Sequence, residues 1–134
     1  MHNHIVSDAI DNSPLNRGLN GCDWVADKRN VAIVDDDDIT LFDYEAPGIY
    51  QVHFLYHARG KEAIKQAKAA FSEMFRDHGA TVLFGLAPDF RRDVKLMGRW
   101  LGGTFSGLRS TSDGPCELYT LTKETWERQQ SWVS

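Results

Sequence analysis

The chain has 134 residues, of which 42% are hydrophobic and 25% are charged, and its formal net charge is −4 at pH 7. This length fits one domain with a core of its own, and this balance of residues excludes a disordered chain. The acidic net charge argues against a general nucleic-acid-binding protein, and no apolar run approaches the roughly 18 residues of a membrane span.

The two cysteines, Cys22 and Cys116, lie far apart in the sequence and belong to no metal-binding spacing. They predict free thiols in a cytoplasmic protein that holds no metal. The N-terminus has no cationic stretch followed by an apolar run, so we expect no signal peptide.

The first third of the chain predicts a polar arm followed by a hairpin. Residues 1–29 are weakly periodic, which predicts an irregular N-terminal arm with one short helical turn near Ser13–Arg17. Two β-rich runs, Asn30–Val34 and Ile39–Tyr44, predict the strands of a hairpin. Between them, Asp35–Asp38 is interpreted as a solvated turn rather than a Ca²⁺ loop, because Asp favours turns and the EF-hand spacing is missing.

The middle of the chain predicts two strands that alternate with two helices. Ile49–His57 is rich in aromatic and β-branched residues and predicts a strand. Lys61–His78 has apolar residues at three- and four-residue steps and predicts an amphipathic helix. Thr81–Leu86 is apolar on both faces, as in a central strand. A second helix is predicted to open at Pro88-Asp89, with Asp89 as its N-cap, and to end at Gly102-Gly103.

The last third predicts two strands, Thr104–Leu108 and Glu117–Thr122, joined by a loop and followed by a short helix in the tail. The order β-β-β-α-β-α-β-β predicts an α/β domain, a mixed sheet with helices packed on it. We expect a single domain over residues 1–134, with a core at 30–122 and a C-terminal tail at 123–134.

One unit points to chemistry: the strand Ile49–His57, the turn that follows it, and the start of the helix. Backbone N–H groups converge at a helix N-terminus, which carries partial positive charge and attracts anions. Gly60 lets the backbone approach a ligand closely, and Arg59 and Lys61 add formal charge. There is no GxxxxGK[ST] motif. On these residues alone, an ordinary strand-to-helix turn with solvated Arg59 and Lys61 is an equal alternative.

This segment, YHARGKEAIKQA at residues 56–67, resembles the [QR]-x-x-G-x-[GA] loop of the GNAT N-acetyltransferase superfamily, which holds the pyrophosphate of coenzyme A. Gly60 matches the first glycine of the loop, His57 stands at the Gln/Arg place, and Glu62 stands where Gly or Ala is usual. The resemblance implies a mostly antiparallel, twisted mixed sheet with helices on its faces, and acetyl-CoA as cofactor. The residues that it implies for cofactor binding are His57, Arg59, Gly60, Lys61, Glu62, Ala63, Arg91 and Arg92.

The resemblance also implies a reaction, the transfer of the acetyl group to a primary amine of a small molecule or a protein. The acyl-pantetheine arm would enter between the strands Ile49–His57 and Thr81–Leu86, where Gly85 would leave room. His53 lies mid-strand and is the candidate base for the ammonium proton, because histidine titrates near neutral pH. The alternative for His53 is a hydrogen-bonded structural histidine.

The motifs lack the usual acid of the reaction. The second helix resembles the family segment N-x-x-A-x-x-x-Y-x-x-x-G, but Gly98 stands where the tyrosine that protonates the leaving thiolate is usual. Tyr119, on a C-terminal strand, is the candidate replacement. The alternative for Tyr119 is packing within the sheet.

The strings VHFLYHARGKEA and ELYTLTKETW, with a proline after the fifth strand, are similar to small phage-encoded GNAT-like proteins. Some of those are described as podophage internal virion or head-assembly proteins and others as acetyltransferases. This resemblance covers residues 30–123 and leaves two functions open, an enzyme of the host cytoplasm or a non-catalytic virion protein. Candidate partners are a second copy of the chain or phage structural proteins, with no nucleic acid and no membrane. Trp126 and Trp132 in the tail either pack on the domain or contact a partner.

Overall fold

The computed structural model describes residues 3–13, 18–88, 91–112 and 114–133, with side chains described as far as residue 129. Within these ranges the chain forms five helices and six strands. In chain order they are α1 (Asn3–Asn12), α2 (Gly21–Ala26), β1 (Val31–Asp35), β2 (Asp38–Ala46), β3 (Ile49–Leu55), α3 (Gly60–Asp77), β4 (Val82–Pro88), α4 (Arg92–Trp100), β5 (Thr104–Thr111), β6 (Gly114–Thr122) and α5 (Lys123–Val133).

The six strands form one sheet in the order β1-β2-β3-β4-β6-β5. Every neighbouring pair is antiparallel except β3 and β4, which run parallel. Parallel neighbours need a crossover connection, and α3 supplies it. The predicted mixed, mostly antiparallel sheet with packed helices is therefore confirmed.

One face of the sheet is covered by α3 and α5. The apolar stripe of α3 includes Phe71, Met74 and Phe75, which are all buried. The Phe71 ring lies 6.1 Å from the Phe42 ring of β2, edge to face. The same core includes the β3 residues Tyr50 and Val52 and the residues Leu83, Leu101, Leu121 and Trp126.

The other face is covered by α1 and α2. Val6 and Ile10 of α1 and Trp24 of α2 are buried against the sheet. They pack on Ile39, Leu41 and Leu55. The prediction of an irregular arm over residues 1–29 is therefore wrong at these two helices. The apolar residues of α1, Ile5, Val6, Ala9 and Ile10, span less than two turns, and so short a helix is marginal by itself. Here tertiary packing stabilises it. The turn predicted near Ser13–Arg17 falls mostly on residues 14–17, outside the described residues.

Two predicted boundaries shift around α4. Strand β4 runs on to Pro88, which pairs with Cys116 of β6. Helix α4 begins at Arg92 with Arg91 as its N-cap, so the start predicted at Pro88-Asp89 is wrong, and Asp89 lies outside the described residues. A strand end tolerates proline better than a strand centre, so Pro88 can be the last residue of β4.

The predicted loop between the last two strands is also shorter in the structure. Strands β5 and β6 pair as far as Thr111 with Gly114, so most of the residues predicted as a loop belong to the hairpin. Gly114 has a φ of +95°, which favours glycine at the turn.

The aspartate run between β1 and β2 is a tight turn, with Asp36 at a φ of +56°. Asp38 begins β2 and is only 5% exposed, so the expectation that all four aspartates are solvated is wrong at this residue. In the described part of the chain, no group of three or more His, Cys, Asp or Glu residues is arranged to hold a metal ion. No described helix is both long and apolar enough to cross a membrane.

Helix α5 closes the domain over the first face. Trp126 is 4% exposed, and its ring lies 6.0 Å from that of Phe71 and 5.9 Å from that of Phe75. Of the two roles left open for this tryptophan, the structure shows packing onto the domain. The side chain of Trp132 lies outside the described residues.

We expect Trp126→Ala to lower the free energy of unfolding by about 3 kcal/mol, because the change leaves a cavity between α3 and α5. Urea denaturation followed by circular dichroism measures this. Trp100→Ala is the matched control, since Trp100 is 65% exposed, and we expect it to cost less than about 0.5 kcal/mol. Equal losses in the two variants would contradict the docked position of α5.

Candidate functional site

The site begins where the parallel strands β3 and β4 separate. They pair over three residues only, Ile49–Gln51 with Val82–Phe84. Both strands continue beyond this pairing, β3 to Leu55 and β4 to Pro88. A cavity of about 220 Å³ opens between them. Its lining is mainly apolar and includes His53, Tyr119 and Arg91.

A glycine in β4 leaves space in this slot. A Cβ built at Gly85 would meet no atom within 4 Å, so β4 faces open space at this point. Gly98 and Gly103 also line the cavity, and they allow close packing, since a Cβ at either would lie within 3.0 Å of a neighbouring atom. Such a slot admits a slender chain whose amides can pair with strand edges, as an added strand does.

Two helix N-termini lie at the open end of the slot. Because β3 and β4 are parallel, their carboxyl ends lie at the same edge of the sheet. Helix α3 follows β3 and helix α4 follows β4, so both begin at this edge. The edge therefore combines two partial positive helix ends with the cations Arg59, Lys61 and Arg91.

The turn into α3 depends on Gly60, which has a φ of +61°. Arg59 is the N-cap, in an extended conformation, and its side chain makes no capping hydrogen bond. The first amides of α3 therefore receive no cap from that side chain, and an anion is a suitable acceptor for them. The Arg59 guanidinium donates instead to the carbonyl oxygens of Tyr56 at 3.2 Å and Ala58 at 3.3 Å. In this structure Arg59 braces its own loop.

Asp38 holds the beginning of the same turn. Its Oδ1 accepts hydrogen bonds from the backbone N–H of His57 at 2.6 Å and of Ala58 at 3.3 Å. The antiparallel register of β2 and β3, which pairs Ile39 with Leu55, brings Asp38 beside this turn. Sequence reasoning missed this residue, and only the register of the predicted hairpin and third strand could have indicated it.

Tyr119 of β6 is held by α4 and by its neighbour Glu117. A Cβ at Gly98 would lie 3.0 Å from Cγ of Tyr119, so α4 approaches the ring at its glycine. The Tyr119 hydroxyl donates to Oε1 of Glu117, two residues away on the same face of β6. Oε2 of Glu117 lies 3.2 Å from Nζ of Lys95 on α4. Sequence reasoning missed Glu117 and Lys95, although the two-residue spacing of a strand could have indicated Glu117.

This arrangement changes the acidity of both groups on β6. Burial, and then the hydrogen bond to Glu117, raise the pKa of Tyr119 above its ordinary value. The hydrogen bond from Tyr119, and then the Lys95 ammonium, lower the pKa of the Glu117 carboxyl. Near neutral pH the pair is therefore a neutral phenol that donates to a carboxylate.

The residues predicted from the sequence fall into three groups. His53, Arg91 and Tyr119 line the cavity. Arg91 also donates through Nε and Nη2 to the Asp93 carboxylate, at 2.9 and 2.8 Å. Arg92 is exposed on the first turn of α4. The other predicted residues lie on the turn and first turn of α3: His57, Arg59, Gly60, Lys61 and Glu62 are exposed, and the side chain of Ala63 is buried.

No protein-family model matches the sequence, and no curated protein matches it significantly. Solved structures match the fold. The aminoglycoside acetyltransferase AAC(6')-Ib in complex with coenzyme A is 13% identical, with 97% of this chain and 96% of that chain covered and a TM-score of 0.66. Its complex with paromomycin and acetyl-CoA gives 14% identity, coverage of 97% and 94%, and a TM-score of 0.69.

A second matching protein is an acetyltransferase (GNAT family) from Bacillus anthracis. It is 11% identical, with 92% of this chain and 90% of that chain covered and a TM-score of 0.63. At these identities the likeness concerns the fold and covers nearly the whole chain. The chain therefore has the fold of the GNAT acetyltransferases.

Proposed function

We propose that this protein is an acyl-CoA-dependent N-acetyltransferase, which transfers the acetyl group of acetyl-CoA to a primary amine. The slot between β3 and β4 carries this proposal, because it opens at the edge where two helix N-termini meet. Proteins of the same fold have been solved with coenzyme A or acetyl-CoA bound. Acetyl-CoA supplies an activated thioester carbonyl to the site.

The described residues fit the two parts of this cofactor. The amides of Arg59–Ala63 at the start of α3 would hold the diphosphate. Lys61, Arg91 and Arg92 would add charge around it, and the exposed His57 and Glu62 would flank it. The apolar slot beside Gly85 would take the uncharged pantetheine arm, whose amides can bond to strand edges.

The chemistry that we propose is direct acyl transfer. The neutral amine attacks the thioester carbonyl carbon, the new C–N bond forms, and the C–S bond breaks. Backbone N–H groups along the slot polarise the carbonyl oxygen as charge develops on it. His53, which lines the cavity, accepts the proton that the ammonium group loses. Tyr119 donates its phenolic proton to the leaving thiolate, and the second proton, which the nitrogen loses as the amide forms, restores the phenol of Tyr119.

Tyr119 suits the role of acid for two reasons. Its pKa is raised, so the phenol keeps its proton at neutral pH. The ring lies against Gly98, the position at which the family motif would place its own tyrosine. Tyr119 on β6 would thus supply the hydroxyl that the family motif places on the helix corresponding to α4.

We propose that the acceptor is an amine of a small molecule or of a protein. Aminoglycosides are suitable first test compounds, since the AAC(6')-Ib structures contain them. The phage type, the non-catalytic virion or head-assembly alternative, homodimer formation and a cytoplasmic location stay predictions. If the virion or head-assembly alternative holds, the protein co-purifies with virions, and His53→Ala leaves this co-purification unchanged.

Larger side chains at Gly85 should weaken coenzyme A binding without destabilising the fold. We expect the series Gly85→Ala, Gly85→Val and Gly85→Leu to weaken coenzyme A binding stepwise, by more than about tenfold at Leu, because each side chain projects into the space of the arm. Isothermal titration measures the dissociation constant. The melting temperature should hold or rise, since glycine weakens a strand interior. If all three variants bind coenzyme A as the parent does, the arm does not use this slot.

Removing the phenol should lower turnover rather than binding. We expect Tyr119→Phe to reduce the rate of acetyl transfer about 100-fold, within the usual range for loss of a general acid, while the dissociation constant for acetyl-CoA stays within about twofold. Release of the thiol, followed with a disulfide dye and kanamycin or ribostamycin as acceptor, measures the rate. Tyr44→Phe is the control, because Tyr44 lies on β2 and packs on Tyr50 away from the cavity.

The pH dependence of turnover tests the same role. In the parent enzyme the rate should fall only above the ordinary pKa of tyrosine, because the pKa of Tyr119 is raised. Glu117→Gln removes the anion but keeps an acceptor for the hydroxyl, so we expect the alkaline limb to move to lower pH. An alkaline limb unchanged by this substitution would contradict Tyr119 as the acid.

A further inference from the structure

The buried carboxylate of Asp38 lies at the root of the proposed diphosphate site. We infer that Asp38 is a positioning residue, which fixes the turn after β3 so that anion binding starts at the amide of Arg59. The inference rests on the proposed function, because it concerns how the same loop receives coenzyme A. It adds a residue that the loop motif does not contain.

The contacts of Asp38 divide the amides of the turn into two groups. The N–H groups of His57 and Ala58 donate to Oδ1 of Asp38 and are directed toward the protein interior. The next amides, from Arg59 onward, belong to the start of α3, which has no side-chain cap at Arg59. A bound anion is therefore offered the second group only.

The other side of the turn is braced as well. The Arg59 guanidinium donates to the carbonyl oxygens of Tyr56 and Ala58. The Tyr56 hydroxyl lies 2.5 Å from Oγ1 of Thr40, so the strand end before the turn is tied to β2 too. Among these residues, Asp38 carries the negative charge. Its carboxylate accepts hydrogen bonds from the backbone N–H groups of the turn.

This placement gives Asp38 two opposite effects on anion binding. As a hydrogen-bond acceptor, it orders the turn and prepares the amides of Arg59–Ala63. As a carboxylate a few residues from these amides, it repels the diphosphate. The two effects separate in two variants, because Asn keeps the acceptor oxygen and loses the charge, whereas Ala loses both.

We expect Asp38→Asn to bind coenzyme A about three- to tenfold more tightly than the parent protein, as removal of one nearby, partly screened charge predicts. Asp38→Ala should bind at least about tenfold more weakly than Asp38→Asn, since the turn loses its anchor. Isothermal titration with coenzyme A measures both. Amide hydrogen exchange should show faster exchange at His57 and Ala58 in the Ala variant than in the Asn variant.

Two controls isolate the charge effect. Asp43→Asn makes the same change on the same strand, about 17 Å further along β2, and should leave the dissociation constant unchanged. Pantetheine, which lacks phosphate, should bind the parent and Asp38→Asn equally, whereas inorganic pyrophosphate should follow the order found with coenzyme A.

The outcomes are distinct. The inference is supported if Asp38→Asn binds coenzyme A more tightly than the parent and Asp38→Ala binds it at least about tenfold more weakly than Asp38→Asn. Binding by Asp38→Ala as tight as that by Asp38→Asn overturns it. Binding by the parent with Asp38→Asn equal to it or weaker overturns the inference and leaves the proposed function standing. If the parent binds no coenzyme A at millimolar concentration, the proposed function is wrong and the inference fails with it.

Discussion

The parallel pairing of β3 and β4 is the constraint on which the rest of the structure depends. Parallel strands require a crossover, and α3 fills it, so the chain enters α3 and α4 at one edge of the sheet. Because the pairing ends after three residues, a slot remains between two strands that are otherwise held by β2 and β6. The position of the anion-attracting helix ends and the shape of the cavity both follow from this single pair.

The charges around the slot are compatible with the polyanionic ligand that we propose for this acidic protein. Three carboxylates near the cavity accept hydrogen bonds or pair with cations: Asp38 from backbone amides, Asp93 from Arg91, and Glu117 from Tyr119 and Lys95. A paired carboxylate projects less negative potential than a lone one. The net charge of the chain therefore says little about the potential where the diphosphate would lie.

The apolar patterns predicted the sheet well because local periodicity and burial agree there. Strands β1 to β4 and helix α3 were each predicted to within a few residues, and α3 carries its buried stripe at the expected spacing. Helix α1 was missed because so short a helix is stable only when the sheet buries residues such as Val6 and Ile10. The start of α4 was misplaced because Pro88 reads as a helix opening, whereas pairing with β6 extends the strand.

By itself, the sequence determined the order of elements from β1 onward, the turn at Gly60 and the candidates His53, Arg91 and Tyr119, since these depend on spacing along the chain. The tertiary structure alone decided which side chains meet. Asp38 reaches the turn across nineteen residues, and Tyr119 meets Gly98 across twenty-one. Such contacts follow from strand register and from the approach of a helix to a sheet, and neither property is periodic in the sequence.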